Sequence, residues 1–403
     1  MKAAIMGYGT IGSGVYEVLD KNCKSVEKKA GEPIEVKYIL DLREFPGSPV
    51  EKLVIHDVEQ IVNDPEIGIV VETMGGTKPA YEFVRRCLLA GKHVVTSNKA
   101  LVAANGTELI RIAAEKNISF LFEASVGGGI PIIRPLVECL GGEEILEISG
   151  ILNGTTNYIL TKMNEEGWSF EEALKRAQEL GYAERNPETD IEGYDTCRKI
   201  AILTAVATGK EVNYEEIPTQ GITKITSMDS SYAAHMGAAI KLFGTSVNKD
   251  GKIYLEVAPV LVDAKDPLYA VTDVFNGILV VGNMLGASMF YGSGAGKLPT
   301  ASAVVGDMIS AVRFGDEPEK IGWSSEKLEV HPAAELSRKY FARFEGSERA
   351  KKEAVAAAFG DVKFVTLEGT DEFAVLTGEM TGEEFDSAAA KVGGLRQKIA
   401  ARL

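Results

Sequence analysis

Histidine is scarce in this 403-residue chain. The four histidines are His56, His93, His235 and His331. No two of them have His-x-x-x-His spacing and none belongs to a Glu-x-x-His pair, so a histidine-built metal site is not expected. Because histidine is scarce, we expect any general acid or base to be a Lys, Asp, Glu or Tyr side chain.

Closely spaced cysteines are missing as well. The four cysteines are Cys23, Cys87, Cys139 and Cys197. They are scattered, without Cys-x-x-Cys spacing. The N-terminus lacks the long apolar region of a signal peptide, so no secretory leader is expected. This usage predicts reduced thiols in a cytoplasmic protein.

Neither a basic excess nor a long apolar run is present. Lys and Arg number 43 against 58 Asp and Glu, so the formal net charge is −15. A protein that binds a phosphate backbone needs clustered basic groups, and no nucleic-acid partner is therefore expected. Apolar residues make up 45% and charged residues 25%, the balance of a globular protein. The apolar stretch that starts at Ile200 is interrupted at Gly209, so no membrane span is expected.

The N-terminal third shows a regular alternation, within a chain long enough for two or three domains. Up to about residue 130, β-branched segments alternate with amphipathic segments, which predicts βαβ units and a doubly wound parallel sheet of the α/β class. The predicted strands are 3–6, 36–40, 67–72, 93–96 and 118–123, and the predicted helices are 11–26, 57–62, 79–89 and 107–115. A later helical segment, 301–312, follows the glycine cluster 292–296 and is expected to return here. The predicted first domain is thus 1–130 plus 296–318.

The pattern changes after residue 130. Ser169-Phe-Glu-Glu172 is a capping box that opens a helix, and Asp250-Gly251 between two alternating runs predicts a hairpin. Residues 131–295 are expected to form a separate α+β domain. Its apolar strands at 252–262 and 275–281 suit a sheet shared between two subunits of a homodimer. Residues 330–403 predict a small α+β unit with strand 340–344, helix 350–359, strand 362–367, strand 372–376 and helix 383–403.

A glycine motif, Gly7-Tyr8-Gly9-Thr10-Ile11-Gly12, directly follows the first predicted strand and opens the first predicted helix. Glycines there let the backbone turn tightly and approach a pyrophosphate at the helix N-terminus. An ordinary glycine-rich turn is the alternative. In this strand-to-helix context, the motif predicts a Rossmann-type dinucleotide-binding domain. Asp41 after the second strand favours a ribose hydroxyl and hence NAD, whereas Arg43 favours the 2′-phosphate of NADP, so both coenzymes stay open.

Two later segments also follow predicted strands. Thr96-Ser97-Asn98-Lys99 lies at the carboxyl end of a parallel strand, where open α/β sheets bind their ligands. Lys99 would meet a phosphate or a carboxylate there, unless it is a solvated loop lysine. Glu123 closes another strand, and the glycine-rich turn 126–130 after it offers carbonyl oxygens that suit a hard cation. A hinge between domains is the alternative for that turn.

The densest cluster of polar groups runs from Gly181 to Lys199. Asp195 and Lys199 are four residues apart and share one helix face, with the acid N-terminal to the base. Most such pairs are solvated ion pairs of little consequence. This pair, however, borders the apolar stretch 200–207, which predicts a buried helix. A desolvated lysine beside a carboxylate can serve as proton donor and acceptor.

Taken together, these motifs resemble homoserine dehydrogenase. The resemblance rests on the glycine motif, the Asn98-Lys99 segment, Glu123-Ala-Ser-Val-Gly-Gly-Gly-Ile-Pro131, Gly150-Ile-Leu-Asn-Gly-Thr-Thr-Asn-Tyr158, and Gly181-Tyr-Ala-Glu184 through Lys199. It spans residues 1 to about 318. It implies reversible interconversion of L-homoserine and L-aspartate 4-semialdehyde with NADP or NAD, in threonine, methionine and isoleucine biosynthesis.

The resemblance also implies a role for each matched catalytic position. Lys199 would give and take the proton at the substrate oxygen, and Asp195 would orient it. Glu184 would bind the substrate ammonium with Asp190 nearby, and Lys99 would position cofactor and substrate.

The resemblance further implies the binding positions for the cofactor and for a cation. The implied cofactor-binding residues are Gly7, Gly9, Thr10, Ile11, Gly12, Thr73, Ser97, Lys99 and Gly296. A sodium ion would be held by Glu123 and by the carbonyl oxygens of Val126, Gly128 and Ile130.

The C-terminal segment departs from the family pattern. Many bacterial members carry an ACT regulatory domain there, with strand-helix-strand-strand-helix-strand order and a glycine-rich ligand turn. The predicted order in 330–403 is ACT-like but lacks the last strand, and Glu345-Gly-Ser-Glu-Arg349 is unlike the ligand turn. Two roles therefore stay open for this unit: threonine binding, and a structural or dimerising role.

Two other functions share some of these features. Aspartate-semialdehyde dehydrogenase has a similar Rossmann start but needs a catalytic cysteine, and none of the four cysteines falls in a loop typical of a nucleophile. A non-catalytic nucleotide or amino-acid sensor, with the C-terminal unit as its ligand module, is the alternative from a different class.

Overall fold

The computed structural model describes residues 1–315 and 317–403. The strands are β1 (Lys2–Met6), β2 (Glu35–Leu40), β3 (Val54–Ile55), β4 (Ile67–Glu72), β5 (His93–Thr96), β6 (Phe120–Leu121), β7 (Ile145–Ile151), β8 (Ala238–Lys249), β9 (Lys252–Asp263), β10 (Phe275–Gly282), β11 (Gly286–Ser293), β12 (Val330–Pro332), β13 (Lys339–Glu345), β14 (Lys363–Val365), β15 (Glu372–Leu376) and β16 (Leu395–Arg402).

The helices alternate with these strands, most regularly in the first third of the chain. They are α1 (Thr10–Lys21), α2 (Cys23–Ala30), α3 (Glu59–Val62), α4 (Ala80–Leu89), α5 (Lys99–Lys116), α6 (Gly154–Glu166), α7 (Phe170–Glu179), α8 (Glu188–Ile191), α9 (Tyr194–Thr208), α10 (Ser227–His235), α11 (Lys297–Phe314), α12 (Glu348–Phe359) and α13 (Gly382–Val392).

The described chain packs into two compact units. The first comprises Met1–Glu143, Ala201–Tyr214 and Phe290–Leu328, and the second comprises Glu144–Ile200, Glu215–Met289 and Glu329–Leu403. The sequence predicted three parts with boundaries near 130, 295 and 330, whereas here the C-terminal residues share a unit with α6 and β8. None of the helices in the described chain has the length and hydropathy needed to cross a bilayer.

The first unit contains a six-stranded sheet in the order β3-β2-β1-β4-β5-β6, with every neighbouring pair parallel. Strands β1, β4, β5 and β6 are buried, largely apolar runs, as in a sheet covered on both faces, whereas β2 and β3 are partly buried. The strand order reverses at β1, which lies between β2 and β4, and such a reversal is where doubly wound sheets bind nucleotides. The predicted Rossmann-type parallel sheet is confirmed. Helix α11 returns to this unit and packs on α1, where Gly14 lies against Ala301.

Three predicted boundaries in this unit are wrong. The predicted helix 11–26 is two helices, because the backbone turns at Asn22 (φ −106°, ψ 16°). Helix α5 begins at Lys99 rather than at 107. Its Asn105-Gly106 dipeptide is a turn signal in sequence, but Gly106 packs against the Trp323 ring and stays helical. The predicted strand 118–123 shortens to β6. The end of α5 is as predicted, since Asn117 adopts the left-handed conformation (φ 52°).

The second unit is built on a mixed sheet in the order β11-β10-β7-β8-β9-β16-β13-β15-β14, with β12 paired to β9. The predicted hairpin is confirmed, since β8 and β9 are antiparallel and Lys249 pairs with Lys252 across the turn. Asp250 and Gly251 both have positive φ (54° and 76°), the geometry of a type I′ turn. The predicted capping box also forms: Ser169 and Glu172 cap α7 reciprocally. Helix α9 begins in this unit.

The end of the chain corrects one prediction. The sequence predicted a helix 383–403 and no final strand, but α13 ends at Val392 and β16 follows. Gly393 and Gly394 both adopt positive φ (69° and 72°) and stop the helix. β16 then pairs antiparallel with β13 and parallel with β9. The order of β13, α12, β14, β15, α13 and β16 is thus the complete order of an ACT-like unit, and that assignment stays a prediction.

Candidate active site

The glycine motif forms the turn between β1 and α1. Gly7 has φ 92° and donates its N–H to the Leu40 carbonyl (2.8 Å). A Cβ on Gly12 would lie 2.0 Å from the Gly7 oxygen, so only glycine fits there. Gly9 is the N-cap of α1, with no side chain capping the helix, and Thr10 and Ile11 are the first helical residues. The N–H groups at this helix end are therefore oriented for an anionic group.

The ends of β1, β4 and β5 are tied together beside this turn. Thr73 donates its hydroxyl to the Gly7 carbonyl (2.8 Å), and Ser97 donates its N–H to the Glu72 carbonyl (3.4 Å). The Glu72 carboxylate, fully buried, accepts from the Thr96 hydroxyl (2.6 Å) and from the Met74 N–H (2.8 Å). Burial raises the pKa of Glu72. The structure thus brings the predicted Thr73 and Ser97 to the same sheet edge as the glycine turn.

Sequence analysis missed Glu72. The available signal was an acid that closes a buried strand, the same signal that singled out Glu123.

Lys99 and Gly296 each lie at the start of a helix of the first unit. Asn98 caps α5 by accepting from the Leu101 N–H (3.1 Å), which makes Lys99 the first helical residue rather than the loop lysine of the alternative interpretation. Its side chain is half-buried. Gly296 is the N-cap of α11 and has φ 116°. Both positions place backbone N–H groups at a helix N-terminus, which suits anionic groups of a cofactor.

Asp41 and Arg43 form one group at the end of β2. The Asp41 carboxylate accepts from the Tyr8 N–H (2.7 Å) and from the Arg43 Nε (2.9 Å) and Nη2 (2.9 Å). The Arg43 guanidinium holds the pKa of Asp41 well below its usual range. Arg43 itself is 61% exposed, and within the described residues its Nη1 has no partner. The Asp41 carboxylate thus already accepts hydrogen bonds from Tyr8 and Arg43, whereas the Arg43 guanidinium still has N–H donors exposed to solvent.

In the second unit, Lys199 and Asp195 form a buried ion pair on one face of α9. Lys199 is 8% exposed, and its Nζ donates to Asp195 Oδ2 (2.7 Å) and to the Leu152 carbonyl (2.6 Å). The predicted burial of this pair is confirmed. The ion pair and the carbonyl contact hold the buried ammonium in a fixed orientation, which is what proton transfer to a bound substrate requires.

Asn153 joins this pair to a second carboxylate. Its Nδ2 donates to Asp195 Oδ2 (2.8 Å) and to Asp190 Oδ1 (2.8 Å), while its Oδ1 caps α6 by accepting from the Thr156 N–H (2.9 Å). The structure therefore brings together the predicted Lys199, Asp195 and Asp190. No role was predicted for Asn153, because it lies 42 positions before Asp195 and only the fold brings the two together.

Glu184 lies on the exposed segment after α7. Its carboxylate makes no hydrogen bond or ion pair within the described residues, so the structure does not join it to the Lys199 pair. The backbone of this segment is anchored to α6, because Thr155 donates its hydroxyl to the Tyr182 carbonyl (2.6 Å) and the Tyr158 and Tyr182 rings contact each other (centroids 5.1 Å apart). A free carboxylate on an anchored segment suits an incoming ammonium group.

The turn after Glu123 belongs to the first unit. Glu123 Oε1 accepts from the N–H groups of Ile132 (2.6 Å) and Ile133 (2.8 Å), and Oε2 accepts from that of Arg134 (2.9 Å). Oε2 therefore keeps capacity for one more partner. The Glu123 N–H donates to Asp307 (2.9 Å), whose pKa burial raises to about 7, and Asp307 also pairs with Arg134.

The carbonyl oxygens in this turn fit a cation. Val126, Gly128 and Ile130 are buried, and no N–H or O–H of the described residues donates to their carbonyl oxygens. Buried carbonyls without donors are ligands for a hard monovalent or divalent ion. In the described part of the chain, no three His, Cys, Asp or Glu side chains gather as metal ligands, so any ion here would depend on backbone oxygens.

The cysteines argue against covalent acyl chemistry. Cys87 and Cys197 are buried, and burial raises the pKa of Cys87 to about 12 and also raises that of Cys197. A thiol with a raised pKa is a poor nucleophile. Cys23 and Cys139 are exposed and lie outside the groups described above. The geometry therefore favours proton transfer at Lys199 over a cysteine-based mechanism.

A nucleotide-binding α/β unit and a second unit with a buried lysine-carboxylate pair define an NAD(P)-dependent oxidoreductase. Family models support this class and narrow it. The homoserine dehydrogenase NAD-binding domain matches residues 7–123, and the homoserine dehydrogenase domain matches residues 131–309. The chain belongs to the homoserine dehydrogenase family.

Individual relatives agree over most of the chain. The homoserine dehydrogenase of Synechocystis is 42% identical over 361 residues, which cover 85% of this chain and 82% of that protein. The homoserine dehydrogenase of Neisseria gonorrhoeae is 35% identical over 412 residues, with coverages of 97% and 94%.

Solved structures agree as well. The crystal structure of a homoserine dehydrogenase from Thiobacillus denitrificans has a TM-score of 0.90 at 32% identity and covers 100% of this chain and 98% of that one. A hyperthermophilic archaeal homoserine dehydrogenase in complex with NADPH has a TM-score of 0.65 at 27% identity and covers 77% of this chain and 97% of that one.

Proposed function

We propose that Lys199 gives and takes the proton in the reversible, NAD(P)-dependent interconversion of L-homoserine and L-aspartate 4-semialdehyde. The buried contact between Lys199 and Asp195 (2.7 Å) carries this proposal. In the reducing direction the Lys199 ammonium donates a proton to the substrate carbonyl oxygen, and in the oxidising direction the neutral amine accepts the hydroxyl proton. When bound, the nicotinamide ring would supply the hydride in the reducing direction and accept it in the oxidising direction.

The neighbours of Lys199 have separate roles. Asp195 holds the ammonium in place and favours its charged form, while the Leu152 carbonyl fixes a second N–H. Asn153 bridges Asp195 and Asp190, because each carboxylate accepts a hydrogen bond from its amide. Glu184 binds the substrate ammonium, with Asp190 nearby, because an exposed carboxylate without an internal partner is open to a cationic ligand.

The coenzyme is held in the first unit by the glycine turn and by the neighbouring strand ends. The residues proposed to bind it are Gly7, Gly9, Thr10, Ile11, Gly12, Thr73, Ser97, Lys99 and Gly296. Lys99 also positions the substrate. We propose that NADP is bound through Arg43, because Asp41 already accepts three hydrogen bonds from Arg43 and one from Tyr8, whereas the guanidinium keeps exposed donors. NAD use would need Asp41 to accept a ribose hydroxyl as well.

A sodium ion is proposed at Glu123 and the carbonyl oxygens of Val126, Gly128 and Ile130. Its support is the set of buried carbonyls without donors and the spare capacity of Glu123 Oε2. Bound there, the ion would fix the backbone of the glycine turn. It takes no part in the proton transfer.

Three further properties complete the proposal. The enzyme acts as a cytoplasmic homodimer, supported by the scattered free cysteines and by the apolar strands β9 and β10. The C-terminal unit is ACT-like, supported by its complete strand-helix-strand-strand-helix-strand order. Its turn at 345–349 still differs from a glycine-rich ligand turn, so a structural role stays open beside threonine binding.

The test is oxidation of L-homoserine, followed by the absorbance of the reduced coenzyme, with NADP and NAD in parallel. Wild type is expected to be active, and Lys199→Ala to lose about 10²- to 10⁴-fold in kcat, the usual contribution of a general acid or base. Lys175→Ala, an exposed lysine of α7, is the matched control. An inactive wild type would contradict the reaction, and a near-normal kcat for Lys199→Ala would contradict the role of Lys199.

A further inference from the structure

A second lysine of the second unit is buried without a carboxylate partner. Lys241 lies on β8 and is 2% exposed. Its Nζ donates to the Val271 carbonyl (2.7 Å), and no other residue of the described chain pairs with it. Burial lowers the pKa of Lys241 to about 8, so the side chain is still charged at neutral pH. Its remaining N–H groups have no acceptor, which is a costly state for a buried ammonium.

Lys241 lines a cavity of about 260 Å³. Helix α6 supplies Thr161, Asn164 and Glu165 to its wall, and the turn before β10 supplies Tyr269 and Thr272. At roughly 30 Å³ for each water molecule, the space corresponds to about eight or nine waters. This is the size of a small metabolite with fewer than about ten heavy atoms.

The same cavity is lined by an acid that forms no ion pair in the described part of the chain. Glu165 is exposed and makes no hydrogen bond or ion pair within the described residues. The neighbouring acids differ, because Lys162 pairs with Glu166 (2.9 Å) and with Asp273 (3.3 Å). Lys241 and Glu165 therefore line one cavity with opposite charges, and Glu165 and Asp273 attract the Lys241 ammonium through space without a direct ion pair.

We propose that this cavity is a second ligand site, which binds a small α-amino acid as its zwitterion. The ligand carboxylate accepts hydrogen bonds from Lys241, and the ligand ammonium pairs with Glu165. Burying a charged carboxylate beside Lys241 supplies the acceptors that the folded chain lacks there. The site goes beyond the catalytic proposal, since neither side chain belongs to the Lys199 group.

The site shares a helix with the catalytic residues. The Val271 carbonyl that accepts from Lys241 also accepts from Asn157 of α6 (3.2 Å). The N-cap of that helix is Asn153, which holds Asp195. A ligand in the cavity thus contacts the C-terminal half of α6, and the reacting substrate is held near its other end.

The test is thermal unfolding of the full-length enzyme with each standard L-amino acid in turn. NADPH is present throughout, and L-homoserine is left out because it is itself a small α-amino acid and would compete for the proposed site. A ligand that binds the folded state raises Tm in a concentration-dependent way. Acetate and ethylamine, which carry only one of the two charges, serve as probes of the charge requirement. We expect a saturable rise with at least one amino acid and smaller shifts with either probe.

Three variants decide the assignment. Lys241→Met and Glu165→Gln are each expected to weaken the binding about tenfold or more, as expected for loss of a charged hydrogen bond. Lys162→Met, on the same helix but paired outside the cavity, is expected to bind like wild type. Glu165 is exposed, so its variant folds even if Lys241→Met does not. Undiminished binding by Glu165→Gln, or no shift of wild type with any amino acid, overturns the proposal.

The catalytic proposal is tested separately on the same preparation. Homoserine oxidation without any Tm shift would overturn the second site alone. A Tm shift that depends on Lys241 in an inactive wild type would overturn the reaction alone.

Discussion

In the first unit the proposed coenzyme site is mostly backbone, whereas in the second unit the proposed catalytic site is mostly side chains. The turn at Gly7–Gly12 offers N–H groups and has no room for Cβ atoms at its close contacts. The Lys199 site depends instead on an ammonium, two carboxylates and one amide. The difference teaches that the first site is damaged by adding atoms and the second by removing them.

The largest expected effect comes from adding atoms at Gly12. Gly12→Val places carbon atoms within 2.0 Å of the Gly7 oxygen, so the turn must open. We expect a destabilisation of about 3 kcal/mol or more and loss of measurable coenzyme binding. Urea unfolding and NADPH fluorescence titration measure the two effects. Gly142→Ala, which meets open space, is the control, and normal NADPH binding by Gly12→Val would break the comparison.

Removing the Asn153 amide is the matching change in the second unit. Asn153→Ala takes one donor from Asp195 and one from Asp190, both hydrogen bonds to charged groups. Such bonds are worth about 1.5–3 kcal/mol, so we expect kcat for L-homoserine to fall about 10- to 100-fold. The coenzyme Kd should stay unchanged, because Asn153 lies in the other unit. A shifted coenzyme Kd with normal kcat would contradict the division of roles.

Gly9→Ala distinguishes an effect on folding stability from an effect on coenzyme binding. A Cβ at Gly9 meets no protein atom within 4 Å, unlike one at Gly12. Tm should therefore stay near that of wild type, while the close approach of a pyrophosphate is blocked and the coenzyme Kd rises about tenfold, or about 1.4 kcal/mol. Calorimetry and NADPH titration give the two values. An unchanged Kd would show that the pyrophosphate does not approach this N-cap.

The smallest effect is expected at Arg43, the side chain proposed to bind the 2′-phosphate of NADP. Arg43→Ala should raise KM for NADP about fivefold, since an exposed ion pair is worth about 1 kcal/mol. KM for NAD should change less, because NAD has no 2′-phosphate. Steady-state kinetics with both coenzymes measure the ratio. An equal change in both values would leave Arg43 no part in coenzyme preference.

Local signals made both sites partly predictable from sequence. One signal is the spacing of Gly7, Gly9 and Gly12 directly after a strand, and the other is the four-residue spacing of Asp195 and Lys199. Each predicts contacts between residues that are close in sequence. The contacts made by Asn153 and Glu72 were not predictable, because their partners are separated by 24 to 42 positions. The pairing of such distant groups depends on strand order and helix packing, which no local pattern encodes.

In the C-terminal unit, too, the feature that the sequence did not predict depends on long-range pairing. The sequence predicted one helix over 383–403, yet Gly393-Gly394 stops α13 and β16 completes the sheet. The strand is also stabilised by pairing with β9, about 140 residues earlier in the chain. Pairing over such a distance is a tertiary effect, which outweighs local propensity.

The pH dependence of kcat for L-homoserine oxidation by wild type and Lys199→Arg tests the proton role of Lys199 most directly. Arginine keeps the charge but does not deprotonate in the accessible range. The account predicts that wild-type kcat rises with pH as Lys199 loses its proton, and that Lys199→Arg has a kcat lower by about 10²-fold or more without this rise. A Lys199→Arg enzyme with near-normal kcat and the same pH profile would contradict it.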